Sequence, residues 1–431
     1  MATHTLLTPT MIAKEALRLL KNNLVMGNLV YRAYESEIPG TPKVGGSVQI
    51  RKPVRFRVKK TRIRSTATIT EQYVTLTVAT QAHVSWNFFS VDLTLSIEQY
   101  SERYIRPAAA ALANQVDSDL LALYKDVANS VHDSTGYVTP GYFMVLGSAM
   151  QRLDEEACPP DERVVVFNPA AHWNFANALS NWNFKEGGEA ALRKGFLGKI
   201  AGCDVFMDQN VKSHTVGNLG TDTSEQSTGL IRIGTTADSA VGGGLRAAGT
   251  GVDITGNSWI ILQGLPNTST ASFFAGDVIT IATCFSVNPM SGESTGSLRQ
   301  FVVTTAATAT DKTSTDSVIS VDYYPQMIET GPYATVNTIP ATMSKVWVEG
   351  FTKKSYPQNL AFHKNAFALV MVPLLKPDGQ WAATETEDGY SIRVVKDYDI
   401  DVDSEIIRLD VLYGVKTIYP ELACRIWGAG A

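Results

Sequence analysis

The residues of this 431-residue chain best able to do chemistry are its carboxylates, histidines and cysteines, and their spacing tests for a metal or catalytic site. The run DYDIDVDSE (397–405) is the most suggestive, because Asp399, Asp401, Asp403 and Asp410 imitate positions 1, 3, 5 and 12 of a calcium-binding loop. Ser404 nevertheless stands where such a loop turns on Gly, and Ile400 and Val402 are strand formers. Carboxylates at i and i+2 of a strand lie roughly 6.6 Å apart on one face, too far to share an ion. The spacing therefore predicts an acidic strand face rather than a metal loop. RKGFLGKI (193–200) has Arg193 where a phosphate-binding loop needs Gly, and Ile200 where it needs Ser or Thr. Gly242–Gly244 has no helix behind it to hold a phosphate.

The six histidines (His4, His83, His132, His172, His214, His363) pair with neither Cys nor carboxylate at ligand spacing. Cys158, Cys203, Cys284 and Cys424 form no CxxC and are expected as reduced thiols. No nucleophile–base set can be assembled, so neither an enzyme nor a cofactor is expected. The first 20 residues lack a secretory pattern, and no apolar stretch approaches the ~20 residues of a membrane span. At 44% hydrophobic residues and 9% aromatics the chain has the composition of a folded protein, with length for two or three cores.

Charge is the uneven property. RKPVRFRVKKTRIR (51–64) holds eight basic residues and no acid in a chain of net charge −5, which leaves 29 bases against 42 acids elsewhere. Val54, Phe56 and Val58 alternate with Arg55, Arg57 and Lys59, a period-two strand pattern that slips at Lys60-Thr61. Residues 45–89 read as two long strands of an extended hairpin whose second strand carries only Glu71 as a counter-charge near the tip. Three readings fit the unneutralised strand. It can be a nucleic-acid arm, although Phe56 is its sole base-stacking aromatic. It can be a solvated edge protected by its charge. It can be a contact between copies in which Arg51, Arg55, Arg57, Lys59, Arg62 and Arg64 meet the acidic face of Asp397, Asp399, Asp401, Asp403 and Glu405, or the acids Asp154, Glu155, Glu156, Asp161 and Glu162.

Around these residues the elements follow a definite order. Thr8 as cap, Pro9 at the first helical position, and Ile12, Ala16, Leu17, Leu20 and Leu24 predict an amino-terminal helix. Ser96 and Gln99 have the form of a capping box. From Pro107, the stripe Leu112, Val116, Leu120, Leu123, Val127 predicts a helix reaching Ala128, about 33 Å long. A second helix follows Thr139-Pro140 and ends before Pro159; VVVF (164–167) is a buried strand, with Asn168-Pro169 opening another helix. Between Ser213 and Ser344 only 4 of 132 residues are basic, and short β-branched runs predict an all-β insertion, a small barrel or sandwich. Mixed, partly helical character resumes at Lys353, AFALVMVPLL (366–375) is a buried strand, and the chain ends in strands.

This order, with FNPAAHWNF (167–175), GKIAGCDVFMDQNV (198–211), FFAGDVITIA (273–282), VNPMSGESTGSLRQFVVT (287–304) and QNLAFHKNAFALVMVPL (358–374), resembles the major capsid proteins of tailed bacteriophages with the α+β HK97-like fold. The similarity is greatest to short-tailed-phage coat proteins with an inserted β-domain. It implies an amino-terminal arm (1–35), an extended β-hairpin loop (36–90) and a peripheral domain with a spine helix (91–160). An axial domain (161–216 and 346–384), an inserted barrel-like domain (217–345) and peripheral carboxy-terminal strands (385–431) complete the implied map. The resemblance further implies a non-enzymatic icosahedral shell of hexamers and pentamers, assembled in the host cytoplasm with a scaffolding protein and a portal. Packaged double-stranded DNA would lie against it without specific contact. No matched Lys–Asn pair is identifiable, so assembly is expected to be non-covalent.

Overall fold

The stripe of Ile12, Ala16, Leu17 and Leu20 folds into helix α1 (Pro9–Asn23), with these residues buried against the core. The structure, a computed structural model, describes residues 9–34, 45–58, 60, 62, 64, 71–89, 101–133, 143–180, 198–219, 231–234, 258–265, 271–308, 317–377, 381–399 and 404–428. Thr8, the Ser96–Gln99 box, Thr139-Pro140, Gly242–Gly244, Lys59, Asp401 and Asp403 lie outside them. The chain divides into two units. One comprises Met1–Ile50, Val74–Leu121 and Phe367–Ile418; the other comprises Arg51–Tyr73, Ala122–Ala366 and Tyr419–Ala431.

In the first unit α1 and the short α2 (Met26–Leu29) both pack on α3 (Arg106–Leu121), which buries Ala109, Leu112, Val116 and Leu120. Asp117, facing inward from α3, accepts the backbone N–H groups of Val25 (2.7 Å) and Gly27 (2.8 Å), donors that the start of α2 leaves unpaired. The α-helical part of the spine ends at Leu121, where a 3-10 turn takes over, so its 16 residues span about 24 Å rather than the predicted 33 Å. The sheet of this unit is organised by strand Ser404–Thr417, which pairs antiparallel with Thr80–Phe89, Phe367–Val372 and Tyr390–Asp399.

Two expectations fail here, for reasons of pairing. Residues 397–405 do not make one acidic strand: Asp397 lies opposite Ile406 and Asp399 opposite Ser404, so the acids belong to two antiparallel strands. Nor do the described residues form one long hairpin. Ser47–Arg51 pairs with Tyr73–Thr77, but residues 52–58 carry no strand, and Thr80–Phe89 leaves to join Ser404–Thr417, where it fills a longer ladder.

The second unit holds two six-stranded sheets. The antiparallel one, in the order 346–348, 278–287, 294–303, 317–324, 258–265, 232–233, matches the β-branched runs of the insertion. Its end strands meet: Arg232 bridges Lys345, Ile233 N–H donates to Ser344 O (3.0 Å) and Val346 N–H to Ile231 O (2.9 Å), closing a barrel around Ile260, Leu262, Ile279, Phe301, Ile319 and Val321. The mixed sheet, ordered 130–133, 423–428, 359–363, 163–167, 203–207, 199–200, is covered by α4 (Phe143–Glu155) and α5 (Pro169–Ser180). Asn168 caps α5, accepting the Ala171 N–H at 2.9 Å. From Ser355 to Val372 the chain is strand (355–357, 359–363, 367–372) with one 3-10 turn, not helical, because the predicted helical character had no apolar period behind it.

Asp410, the supposed last ligand of a calcium loop, is fully buried between Arg393 and Arg408 (2.7 Å each), with Gln81 donating as well. Burial pushes its carboxyl up, but the bonds from Arg393, Arg408 and Gln81 outweigh this and hold it below the ordinary aspartate range. The stabilisation is present above the unfolded value of about 4 and is lost as pH falls through the lower folded value. Asp410→Asn should destabilise the subunit by about 3 kcal/mol at pH 7 in urea titrations. The gap to the parent should narrow in acid; an undiminished gap at pH 3 would count against the ion pairs as its source.

Candidate assembly surface

The basic segment lies within the second unit. Its first residue, Arg51, pairs with Glu71 at 3.3 Å, and Lys52 N–H donates to Gln72 O (2.7 Å). From there it runs over the barrel and the carboxy-terminal 3-10 turn (Pro420–Leu422). The Lys52 ammonium stands 5.2 Å from the centre of the Tyr419 ring, a cation–π contact. Arg55 N–H reaches the Tyr333 hydroxyl at 3.4 Å. The Arg57 guanidinium occupies the place a side chain on residue 292 would take: a Cβ built there would lie 2.3 Å from Arg57 Cζ. Gly292 (φ +79°) ends a turn stapled by Asn288, whose Oδ1 accepts Met290 N–H (2.8 Å) and whose carbonyl accepts Gly292 N–H (2.8 Å). Arg57 Nε and Nη2 are shielded there without a protein acceptor, so shape rather than hydrogen bonding seats this side chain.

Over residues 55–58 the alternation read from the sequence is therefore present, with the basic side chains on the inward face. Arg55 and Arg57 turn toward their own subunit, while Phe56 (65% exposed) and Val58 (92%) face outward with Lys60, Arg62 and Arg64. Asp397 is also exposed; the side chains of Asp399 and Glu405 lie outside the described set.

The inward cations have acids to meet. Burial pushes the Glu421 carboxyl up, but Lys52, a backbone N–H, Arg55 and the Tyr324 hydroxyl (2.9 Å) together hold it below the ordinary range. Glu156 makes a buried ion pair with Arg299, and burial pushes its carboxyl up despite Arg299 and Arg55. Three of the other acids proposed as a docking patch are also engaged: Asp154 with Arg163 (2.7 Å), Glu155 with Arg152 (3.4 Å) and Ser297 (2.9 Å), Glu162 with Lys364 (3.4 Å). Separations of more than a hundred residues, as between Glu156 and Arg299, leave no local signal for such pairs in the sequence.

The sequence reading also passed over a buried relay in which the Tyr124 hydroxyl meets His214 Nδ1 (3.2 Å) and His214 Nε2 meets Asp277 (2.8 Å). Asp277 further accepts the backbone N–H groups of Gly217 and Phe274, so the relay fastens loops rather than facing a substrate. All four cysteines are buried and unpaired, and burial pushes Cys203 to about 11 and Cys284 and Cys424 to about 12, far from reactive. Among the described residues no three His, Cys, Asp or Glu converge as a metal site.

The family model described as "P22 coat protein - gene protein 5" matches residues 1–428. The chain belongs to this family. It is a phage coat protein of the α+β HK97-like fold, a structural protein that self-assembles into the icosahedral shell of the virion. Among solved structures the coat protein is similar to one from Mycobacterium phage Che8, at 16% identity over 94% of this chain and 90% of that one, with TM-score 0.46. It is also similar to the capsid of cyanophage P-SCSP1u (12% identity, 91% and 86% covered, TM-score 0.42) and to the mature capsid of bacteriophage PhiM1 (10%, 89% and 82%, 0.41). Among curated proteins none matches the chain.

Removing the Arg299 cation by Arg299→Met strands a buried carboxylate and should cost about 3 kcal/mol, more than Glu156→Gln. Because the folded pKa of Glu156 is raised, ionisation costs stability above the unfolded value, and acidification relieves that cost. The Arg299→Met deficit should accordingly shrink as pH falls from 8 toward 5 in denaturant titrations; a constant deficit would contradict the pairing. Gly292→Ala should displace Arg57 and accelerate tryptic cleavage within residues 51–64, with unchanged cleavage elsewhere.

Proposed function

We propose that the coat protein builds its shell non-covalently from hexamers and pentamers, in the host cytoplasm, with a scaffolding protein and around a portal. The finished shell encloses double-stranded DNA by proximity, without sequence recognition. The map of arm (1–35), extended loop (36–90), peripheral (91–160 and 385–431), axial (161–216 and 346–384) and inserted (217–345) domains belongs to the same reading.

The observation that carries it is the outward face of residues 51–64. Phe56 and Val58 are held in water by a segment whose Lys52, Arg55 and Arg57 side chains grip its own subunit, an arrangement that makes sense when another copy covers them. Phe56 and Val58 form the apolar centre of the contact between copies, and Lys59, Arg62 and Arg64 form its charged rim. Asp397, Asp399, Asp401, Asp403 and Glu405 on a neighbouring subunit are the proposed counterpart of that rim, steering rather than supplying most of the affinity. Arg51, Arg55 and Arg57 contribute by holding the segment in place.

Electron microscopy of the protein co-expressed with its scaffolding protein tests assembly directly. Phe56→Ser with Val58→Ser should leave the melting temperature of the free subunit unchanged yet lower shell yield at least about tenfold, since each apolar side chain is worth roughly 1.5–3 kcal/mol on full burial. Normal yield from the double variant would remove the contact. Boiled shells should run as single subunits on an SDS gel, and a surviving ladder of linked subunits would overturn non-covalent assembly.

A further inference from the structure

Between the barrel and the mixed sheet of the second unit, a small cavity of about 10 Å³ is bordered by Arg425, Glu349, Gln358, Val278 and Trp427. Its polar walls are deeply buried: Arg425 is 1% exposed, Gln358 3% and Glu349 8%. Each of these side chains has one end tied down. Arg425 Nη1 donates to Gly276 O (2.7 Å), Glu349 Oε1 accepts from Gln300 (2.5 Å) and Gln358 Nε2 donates to Tyr356 O (3.2 Å). The other ends are unmatched, for Arg425 Nε and Nη2, Glu349 Oε2 and Gln358 Oε1 have no protein partner. That is two donors and two acceptors around one cavity.

We propose that this cavity is a binding site for a single ordered water, which donates to Glu349 Oε2 and Gln358 Oε1 and accepts from the Arg425 guanidinium. The volume admits about one water, and such waters make two to four hydrogen bonds to otherwise unsatisfied groups. The stoichiometry selects the ligand. A halide would accept from Arg425 but face two oxygen acceptors, and a metal cation would be held by those oxygens but repelled by the guanidinium. Of these three, water satisfies both signs and fits the volume. Glu349 follows barrel strand Val346–Val348 and Arg425 lies on Ala423–Gly428 of the mixed sheet, so the bridged charges join the two layers of this unit.

A cryo-EM map of assembled shells, at a resolution where buried waters are visible, should show a peak roughly 2.6–3.2 Å from these polar atoms. The peak should be unchanged when bromide replaces chloride in the buffer. Absence of the peak where other buried waters are seen, or a peak that strengthens with bromide, overturns the proposal. Val278→Ile provides an independent readout on the full chain. By crowding the water out it should lower the melting temperature by roughly 3 °C or more, or prevent folding. A dry cavity would instead be stabilised by filling, so a variant at least as stable as the parent refutes the water.

Discussion

A carboxylate removed from water must find its cation inside its own subunit before that subunit can offer a surface to another. The coat protein meets this constraint repeatedly, with residues both near and far in the chain: Asp410 between Arg393 and Arg408, Glu156 on Arg299, and Glu421 facing Lys52 and Arg55. Breaking such a pair leaves a buried charge, a larger penalty than the pair's net worth when intact. The pairs therefore act as conditions on the fold. They decide which charges are left over for assembly, and the leftover set is smaller than the composition suggests.

That selection explains how the basic segment was legible and how it misled. Its period-two alternation was readable from Val54, Arg55, Phe56, Arg57 and Val58, and so was the importance of its charge. Which face turned inward was not readable, because it depends on Tyr333, Gly292, Tyr419 and Glu421, all more than two hundred residues away. The acidic run 397–405 failed in the same way, since the register placing Asp399 opposite Ser404 is a property of the sheet. Elements fixed by local pattern were recovered well: α1 from its apolar stripe, α5 from Asn168-Pro169, and the insertion from its β-branched runs and near absence of basic residues.

A segment built in this manner divides its labour between its two faces. Cations directed at buried acids on the home subunit give orientation, while the proposed contact through a pair of exposed apolar side chains would draw its strength from area and be little altered by salt. A shell contact made mainly of exposed ion pairs would weaken as ionic strength rises and would pair promiscuously with any acidic surface. Apolar contact at the centre with charge at the rim keeps steering and strength separable.

The closed barrel answers the opposite hazard. A protein that must associate with many copies of itself is at risk from every surface able to pair nonspecifically, and an open sheet edge is the most general of these. Strands 232–233 and 346–348 would be the two edges of the inserted sheet, and both are short. Their mutual bridge at Arg232 and Lys345 leaves neither edge as a template for another chain. With few basic residues and no open edge along this seam, the insertion can add a rigid β-rich body to the subunit without adding a generic sticky surface. Association is then left to side chains placed for it, the role proposed for Phe56 and Val58, whose number and geometry can be matched to the angles a closed shell requires.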